Sequence, residues 1–347
     1  MGLSDEIREQ PEVTERLLEE LPDELDALAT AARRAGIDYV LIAARGSSDH
    51  AAMYGQYVLG AVARLPVALA TPSLFSRYAS PPRVARGLVI GVSQSGRSPD
   101  IVAVVEEARR QGAVTAAVTN DPASPLAIAA EHALALRAGA ERSIAATKTY
   151  TAQLLVMAML AAALDADSAD RPRRRKALAL VADAQRRALS VEQPAQELAQ
   201  AYRSMEECVV LGRGFNLATA FEWALKLKEL AYVRAQAYST ADFQHGPVAS
   251  LAPGARVLGI AAGGDLGDDL VALLRTLREE RGAHVLVMSG EQRVPGADHL
   301  PFPDELPEWL SPLVNAVPAQ LFAAALAQAK GYDVERPRGL NKVTLTR

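Results

Sequence analysis

Apolar residues along this chain gather into short unbroken runs, and most runs lead into a stretch with helical spacing. YVLIAA (Tyr39–Ala44) leads through RGSSDH into AAMYGQYVLGAVARL, VALA leads into a loop, and GLVIGV (Gly87–Val92) leads through SQSGRSPD into IVAVVEEARRQG. AVTAAVTN and HALALRAG are two further strand candidates. Runs that stay apolar without period-two alternation predict strands buried on both faces, as in a parallel sheet covered by helices. Ahead of them, Leu17, Leu18, Leu21, Leu25 and Leu28 recur at helical spacing, and Pro22 is expected to break that run in two.

The second half restates this plan. ECVVLGRGFNLATAFEWALKLKELA (Glu207–Ala231) parallels DYVLIAARGSSDHAAMYGQYVLG as strand, glycine turn and helix. ARVLGIAAGGDLGDDLVALLRTLREERGAHVLVMSG (Ala255–Gly290) parallels RGLVIGVSQSGRSPDIVAVVEEARRQGAVTAAVTN. The expected fold class is α/β: two tandem doubly wound parallel-sheet domains, flavodoxin-like, related by internal duplication. The expected division is a helical segment 1–35, a first domain 36–170, a linker helix 171–200, a second domain 201–330 and a tail 331–347.

Composition narrows the classes. The 347 residues are enough for two domains of ordinary size, and 50% hydrophobic with 22% charged is the balance of a globular chain. A net charge of −4 and an aromatic content of 5% predict no nucleic-acid partner. RPRRRK (Arg171–Lys176) is expected to be a solvated helix start. The single cysteine, Cys208, lies in the apolar CVVLG and is expected to be a buried strand thiol. MGLSDEIREQ lacks the apolar centre of a signal peptide, and Glu6 stands where a myristoylation signal carries a hydroxyl. TAQLLVMAMLAAAL (Thr151–Leu164), taken as the longest apolar stretch, is shorter than the ~20 residues of a membrane span. A cytoplasmic protein without a membrane partner is the expectation.

Candidate chemistry starts at SQSGRSPD. Ligands of a parallel α/β sheet bind beyond the carboxyl ends of its strands, where the following helix offers unpaired N–H groups. Ser93, Gln94, Ser95 and Ser98 occupy such a junction, Ser47 and Ser48 occupy another, and Thr147 in SIAATKTYT precedes a further helix. Together these groups suit one phosphate monoester without a metal. Helix capping is the plainer account of any one serine. The corresponding loop of the second half, AAGGDLGDD, has no hydroxyl and three aspartates, so one anion site is expected rather than two. No Walker loop stands at these junctions, and LGRGFNLA supplies Gly212 and Gly214 without the third glycine of a dinucleotide fingerprint.

The titratable groups lie in the second half. Glu222, Lys226 and Glu229 are spaced four and three apart, which puts them on one helix face; an exposed salt-bridged face is the plain reading of that stretch. His245, followed by Gly246 and Pro247, is expected in a turn at a strand start. Lys342 lies in the terminal RPRGLNKVTLTR. A carboxylate or histidine can move protons beside a carbonyl, and an amine can activate one as a Schiff base. The histidines at 50, 132, 245, 284 and 299 are scattered, so no metal ligand set is expected.

GSSDHAA, SQSGRSPD, SIAATKTYTAQL, ALKLKELAYVRAQAY, HGP and LNKVT, in this order and spacing, resemble the sugar-isomerase (SIS) domain family over nearly the whole chain. The chain is similar to the isomerase half of the glucosamine-6-phosphate synthases and, more nearly, to the SIS-type glucosamine-6-phosphate deaminases. The resemblance implies that Ser48, Ser93, Gln94, Ser95 and Ser98 bind the sugar phosphate; Ser47 and Thr147, from the loops read above, are expected as further substrate contacts. It implies Glu229 as the base between C1 and C2, His245 as the ring-opening group supplied by the neighbouring subunit of a homodimer, and Lys226 as an aid to proton transfer. Lys342 matches the Schiff-base lysine, and Glu222 is expected to orient the substrate. Arg97-Ser98-Pro99-Asp100 replaces the Glu-Thr that follows SQSG in the synthases and looks like the deaminases; Ala146 replaces a family serine. No glutaminase domain precedes the SIS motifs here, so glutamine-driven synthesis is not expected.

The expected activity is an amino-sugar phosphate isomerase and deaminase that turns glucosamine 6-phosphate and water into fructose 6-phosphate and ammonia, with no cofactor and no metal. Alternatives are a fructosamine-phosphate deglycase, a galactosamine-6-phosphate deaminase, an ammonia-dependent glucosamine-6-phosphate synthase or, outside catalysis, a sugar-phosphate-binding regulator.

Overall fold

The computed structural model describes residues 2–167, 169–303 and 305–342, and the chain divides into two compact units. One comprises Glu12–Glu141, Lys148–Ala179 and Asn341–Arg347; the other comprises Met1–Pro11, Arg142–Thr147 and Leu180–Leu340.

In the first unit the unbroken apolar runs become strands. They are β1 (Tyr39–Ala43), β2 (Val67–Leu69), β3 (Gly87–Val92), β4 (Val114–Thr119) and β5 (His132–Ala135). They pair in the order β2-β1-β3-β4-β5, every pair parallel. Every residue of β3 and β4 is buried, which is why neither run alternates. On one face Leu41, Val89 and Ala117 pack with Ile101, Val104 and Val105 of the Pro99–Arg110 helix. The helices Ser47–Val58 and Lys148–Leu164 pack against each other, and the second is buried along nearly its whole length. Burial all round, not lipid, explains its lack of an amphipathic stripe.

The second unit holds β6 (Glu207–Gly212), β7 (Arg234–Ser239), β8 (Arg256–Ala261), β9 (His284–Ser289) and β10 (Asp298–Pro301), in the order β10-β9-β8-β6-β7 and again all parallel. Followed from its other end, this sheet has the strand order of the first, so the internal duplication is visible in topology as well as sequence. β7 and β10 carry no apolar run. They are edge strands, and β7 leaves part of its RAQAYS exposed. Cys208 is buried on β6, where burial, with Glu207 beside it, pushes its thiol up to about 12.

The Thr151–Leu164 stretch is not the longest apolar helix. Glu308–Ala329 is long and apolar enough to cross a membrane, yet its apolar window is wholly buried within the structure. Its polar residues have protein partners: Asn315 Nδ2 donates to Asn216 Oδ1 at 3.0 Å, and Gln10 Nε2 donates to Gln320 Oε1 at 2.8 Å. A buried amide with a fixed partner marks a core helix.

Candidate active site

The first sheet reverses its strand order between β1 and β3, and a doubly wound sheet opens a crevice at that point, beyond the carboxyl ends of the strands. Two of the three hydroxyl-bearing loops stand there. After β1, Gly46 enters the Ser47–Val58 helix at φ 57°, ψ −133° and caps it without a side chain, so Ser47 and Ser48 fall in the first helical turn. After β3, Gly96 turns the chain at φ 62°; a Cβ there would strike Ser124 and Thr119.

The turn fixes its serines by local bonds. Ser93 Oγ accepts from Gly96 N at 3.2 Å and Ser95 Oγ accepts from Arg97 N at 3.3 Å. The Gln94 carbonyl accepts from Asn120 N at 3.0 Å and from Thr119 Oγ1 at 3.3 Å, which pins the loop to the end of β4. Ser98 is the N-cap of the Pro99–Arg110 helix, but its hydroxyl makes no cap bond. Ser124 and Ser239, in the same position before other helices, do cap, accepting from Ala127 N and Asp242 N. Capping therefore accounts for those serines and not for Ser98. Thr147 lies in Arg142–Thr147, which is grouped with the second unit, where its carbonyl accepts from Gln320 Nε2 at 3.5 Å. The corresponding loop of the second sheet, after β8, carries no hydroxyl and runs into a helix with Asp265 and Asp268 in its first turn.

The helix Leu217–Ala231 of the second unit carries the charged cluster. An exposed salt-bridged face is not what forms: Glu222 and Lys226 are 2% and 1% exposed. Lys226 Nζ lies 3.2 Å from Glu222 Oε1 and 2.5 Å from Glu229 Oε2. Burial pulls this amine toward neutrality, but the two carboxylates outweigh it and hold the ammonium above the usual lysine range. The spacing set the shared face correctly; burial depended on what the fold laid against it. Glu229 is the open member, its side chain 21% exposed.

His245 is not at a strand start. It ends the short Thr240–Gln244 helix and precedes a 3-10 turn, Pro247–Ser250, while the next strand begins at Arg256. Gly246, at φ 150°, and Pro247 make the turn without leading into a sheet. The imidazole is exposed, and no hydrogen bond joins it to the Glu222–Lys226–Glu229 cluster among the described residues.

Lys342 Nζ donates to Glu141 Oε2 at 2.7 Å within the first unit. The Glu141 side chain is fully buried and also accepts from Thr149 N at 3.1 Å and Thr149 Oγ1 at 2.8 Å. Sequence reasoning missed Glu141; a lone acid just before SIAATK was its only signal. Val343 and Thr344 of the LNKVT motif lie outside the described residues. Among the described residues no group of three or more His, Cys, Asp or Glu comes together in a metal-binding arrangement.

The profile of the SIS domain matches residues 37–163 and again 202–329, once over each sheet. The chain belongs to the SIS domain family. Among its relatives, the isomerizing glutamine–fructose-6-phosphate aminotransferase of Thermus thermophilus is 34% identical over 354 residues, covering 97% of this chain and 57% of the relative. The chain thus spans little more than half the length of that relative. Among solved structures, a provisional phosphosugar isomerase from Silicibacter pomeroyi DSS-3 is 36% identical with a TM-score of 0.86, over 96% of this chain and 99% of the other. The C-terminal domain of glucosamine-fructose-6-phosphate aminotransferase from Francisella tularensis is 25% identical with a TM-score of 0.88, over 96% and 98% of the two chains.

Proposed function

We propose that this SIS protein is an aldose–ketose isomerase of amino-sugar phosphates whose net reaction converts glucosamine 6-phosphate and water into fructose 6-phosphate and ammonia. The observation that carries the reading is the buried Lys226 held between Glu222 and Glu229. Burying the Lys226 ammonium with the Glu222 carboxylate is expensive, and a packed apolar face is often as stable. Such a cluster with one member open to solvent suits proton transfer. The serine loops at the switch point of the first sheet support a phosphorylated substrate.

In the proposed sequence Ser47, Ser48, Ser93, Gln94, Ser95 and Ser98 hold the phosphoryl group, and His245, contributed by the neighbouring subunit of a homodimer, opens the pyranose ring. Glu229 removes the C2 proton from the open-chain aldehyde, giving an enolamine. The proton returns at C1, leaving C1 as a hydroxymethyl group and C2 as a ketimine. Water adds to C2, the C–N bond breaks, and ammonia leaves with the nitrogen. Lys226 donates to Glu229 and can share its proton, Glu222 and Thr147 orient the sugar, and Lys342 supplies an amine that can condense with the ketose carbonyl, losing water, in an imine that water hydrolyses again before fructose 6-phosphate leaves.

The test is an ammonia-release assay across amino-sugar phosphates and glycated amino acid phosphates, run in both directions. Ammonia from glucosamine 6-phosphate is the expected product; release of an amino acid instead would replace deamination by deglycation. Glu229→Gln should lower turnover by about 10²–10⁴-fold, the range of positioned acid–base catalysis, with phosphate-sugar binding retained. Loss of both together would make Glu229 structural.

A further inference from the structure

The two serine loops are tied by an ion pair. Arg45, the residue before Gly46, donates from Nε to Asp100 Oδ2 at 3.0 Å. Asp100, two residues beyond Ser98, is nearly buried, its side chain 3% exposed, while that of Arg45 is 49% exposed. Asp100 Oδ1 accepts from Ile101 N at 3.0 Å, which fixes the carboxylate on its own helix. The pair uses one of the five donors of the guanidinium, and Arg45 makes no other hydrogen bond among the described residues.

The charges around these loops give the arginine a purpose. Asp49 and Asp100 stand in the first turns of the two helices that the serine loops enter. A phosphate dianion bound there meets two acids and a set of neutral hydroxyls and N–H groups. Arg97, the other cation of the loops, is turned to Asp121, with Nη2 3.5 Å from Oδ2. Arg45 is bonded to Asp100; the Asp49 carboxyl is pushed up by burial, while His50 and Arg45 pull it down.

We propose that Arg45 is the charged donor of the phosphate site, oriented by Asp100 so that its Nη groups meet the phosphoryl oxygens of the sugar. This rests on the reading of the serine loops as that site. A guanidinium held by Nε keeps a planar pair of donors for two phosphate oxygens, a geometry that lysine cannot copy. Arg45 thereby makes the site select the phosphorylated sugar over the free sugar.

The test is calorimetric titration with inorganic phosphate. The wild-type chain should bind, and Ser98→Ala should bind more weakly. Arg45→Gln should weaken phosphate by about tenfold or more, the size of a lost charge-assisted hydrogen bond, and Arg45→Lys should recover only part. Arg45→Gln/Asp100→Asn should stay weak. Wild-type affinity in Arg45→Gln would overturn the assignment, and so would wild-type affinity in the double variant, because Arg45 would then do no more than neutralise Asp100. A wild-type chain that takes no phosphate, or a Ser98→Ala chain that takes it unchanged, would instead overturn the phosphate reading of the loops. In turnover assays the Arg45→Gln loss should appear in KM for the sugar phosphate and not in kcat.

Discussion

Lys226 carries a full charge where almost no solvent reaches, so its removal should be felt in stability before it is felt in chemistry. Lys226→Met leaves Glu222 buried without its counter-ion, and the expected loss is about 3–5 kcal/mol in urea unfolding. Lys226→Met/Glu222→Gln should recover part of that loss; no recovery would show that the ammonium was not compensating Glu222. His299 gives a second readout at this scale. Burial holds its imidazole below the ordinary value of 6.5, while its Nε2, 3.0 Å from the Ser289 carbonyl, is a partial counterweight. The unfolded chain therefore binds the proton first as pH falls. This contribution should be complete above pH 6.5, decline as pH falls from there to the folded value and level off below it. Urea midpoints measured from pH 8 to pH 5 check this, and His299→Gln should flatten the acid-side slope. Residue types and spacings told much of this from sequence alone: Glu222, Lys226 and Glu229 were visible as one face. Their burial was not, because it depends on residues distant in the chain. Glu141 was illegible for the same reason, since Thr149 is near in sequence but Lys342 comes from the other end of it.

At the scale of the element, the turn after β3 depends on Gly96. Gly96→Ala places a Cβ against Ser124 and Thr119 at a backbone angle that disfavours side chains. The expected cost is about 2–4 kcal/mol, from left-handed strain plus overpacking. It should come with weaker phosphate binding, because Ser93 Oγ accepts from the N–H of this residue. A variant of unchanged stability and affinity would mean that the loop relaxes around the methyl group. The central strands were legible because both their faces are covered, so the sequence shows an apolar run with no alternation. β7 and β10 were not, because edge strands need no such run. Pro247 misled in another way. A proline after glycine marks a turn but not the element beyond it, and here that element is a 3-10 turn rather than a strand.

At the scale of the whole molecule, two sheets share one strand order while their loops have diverged. The β3 loop offers serines, and the matching loop after β8 leads into Asp265 and Asp268. Calorimetry should therefore return one phosphate per chain. Two equivalent phosphates would show that hydroxyls are dispensable and that backbone N–H groups suffice.

The units are also interleaved. The chain passes from one to the other at 11/12, 141/142, 147/148, 179/180 and 340/341. Severing it anywhere near the middle gives two fragments, each lacking a piece of itself and carrying a piece of its counterpart. Each duplicated half keeps its own sheet, and two chains made by such a cut are expected to complete their units only when both are present.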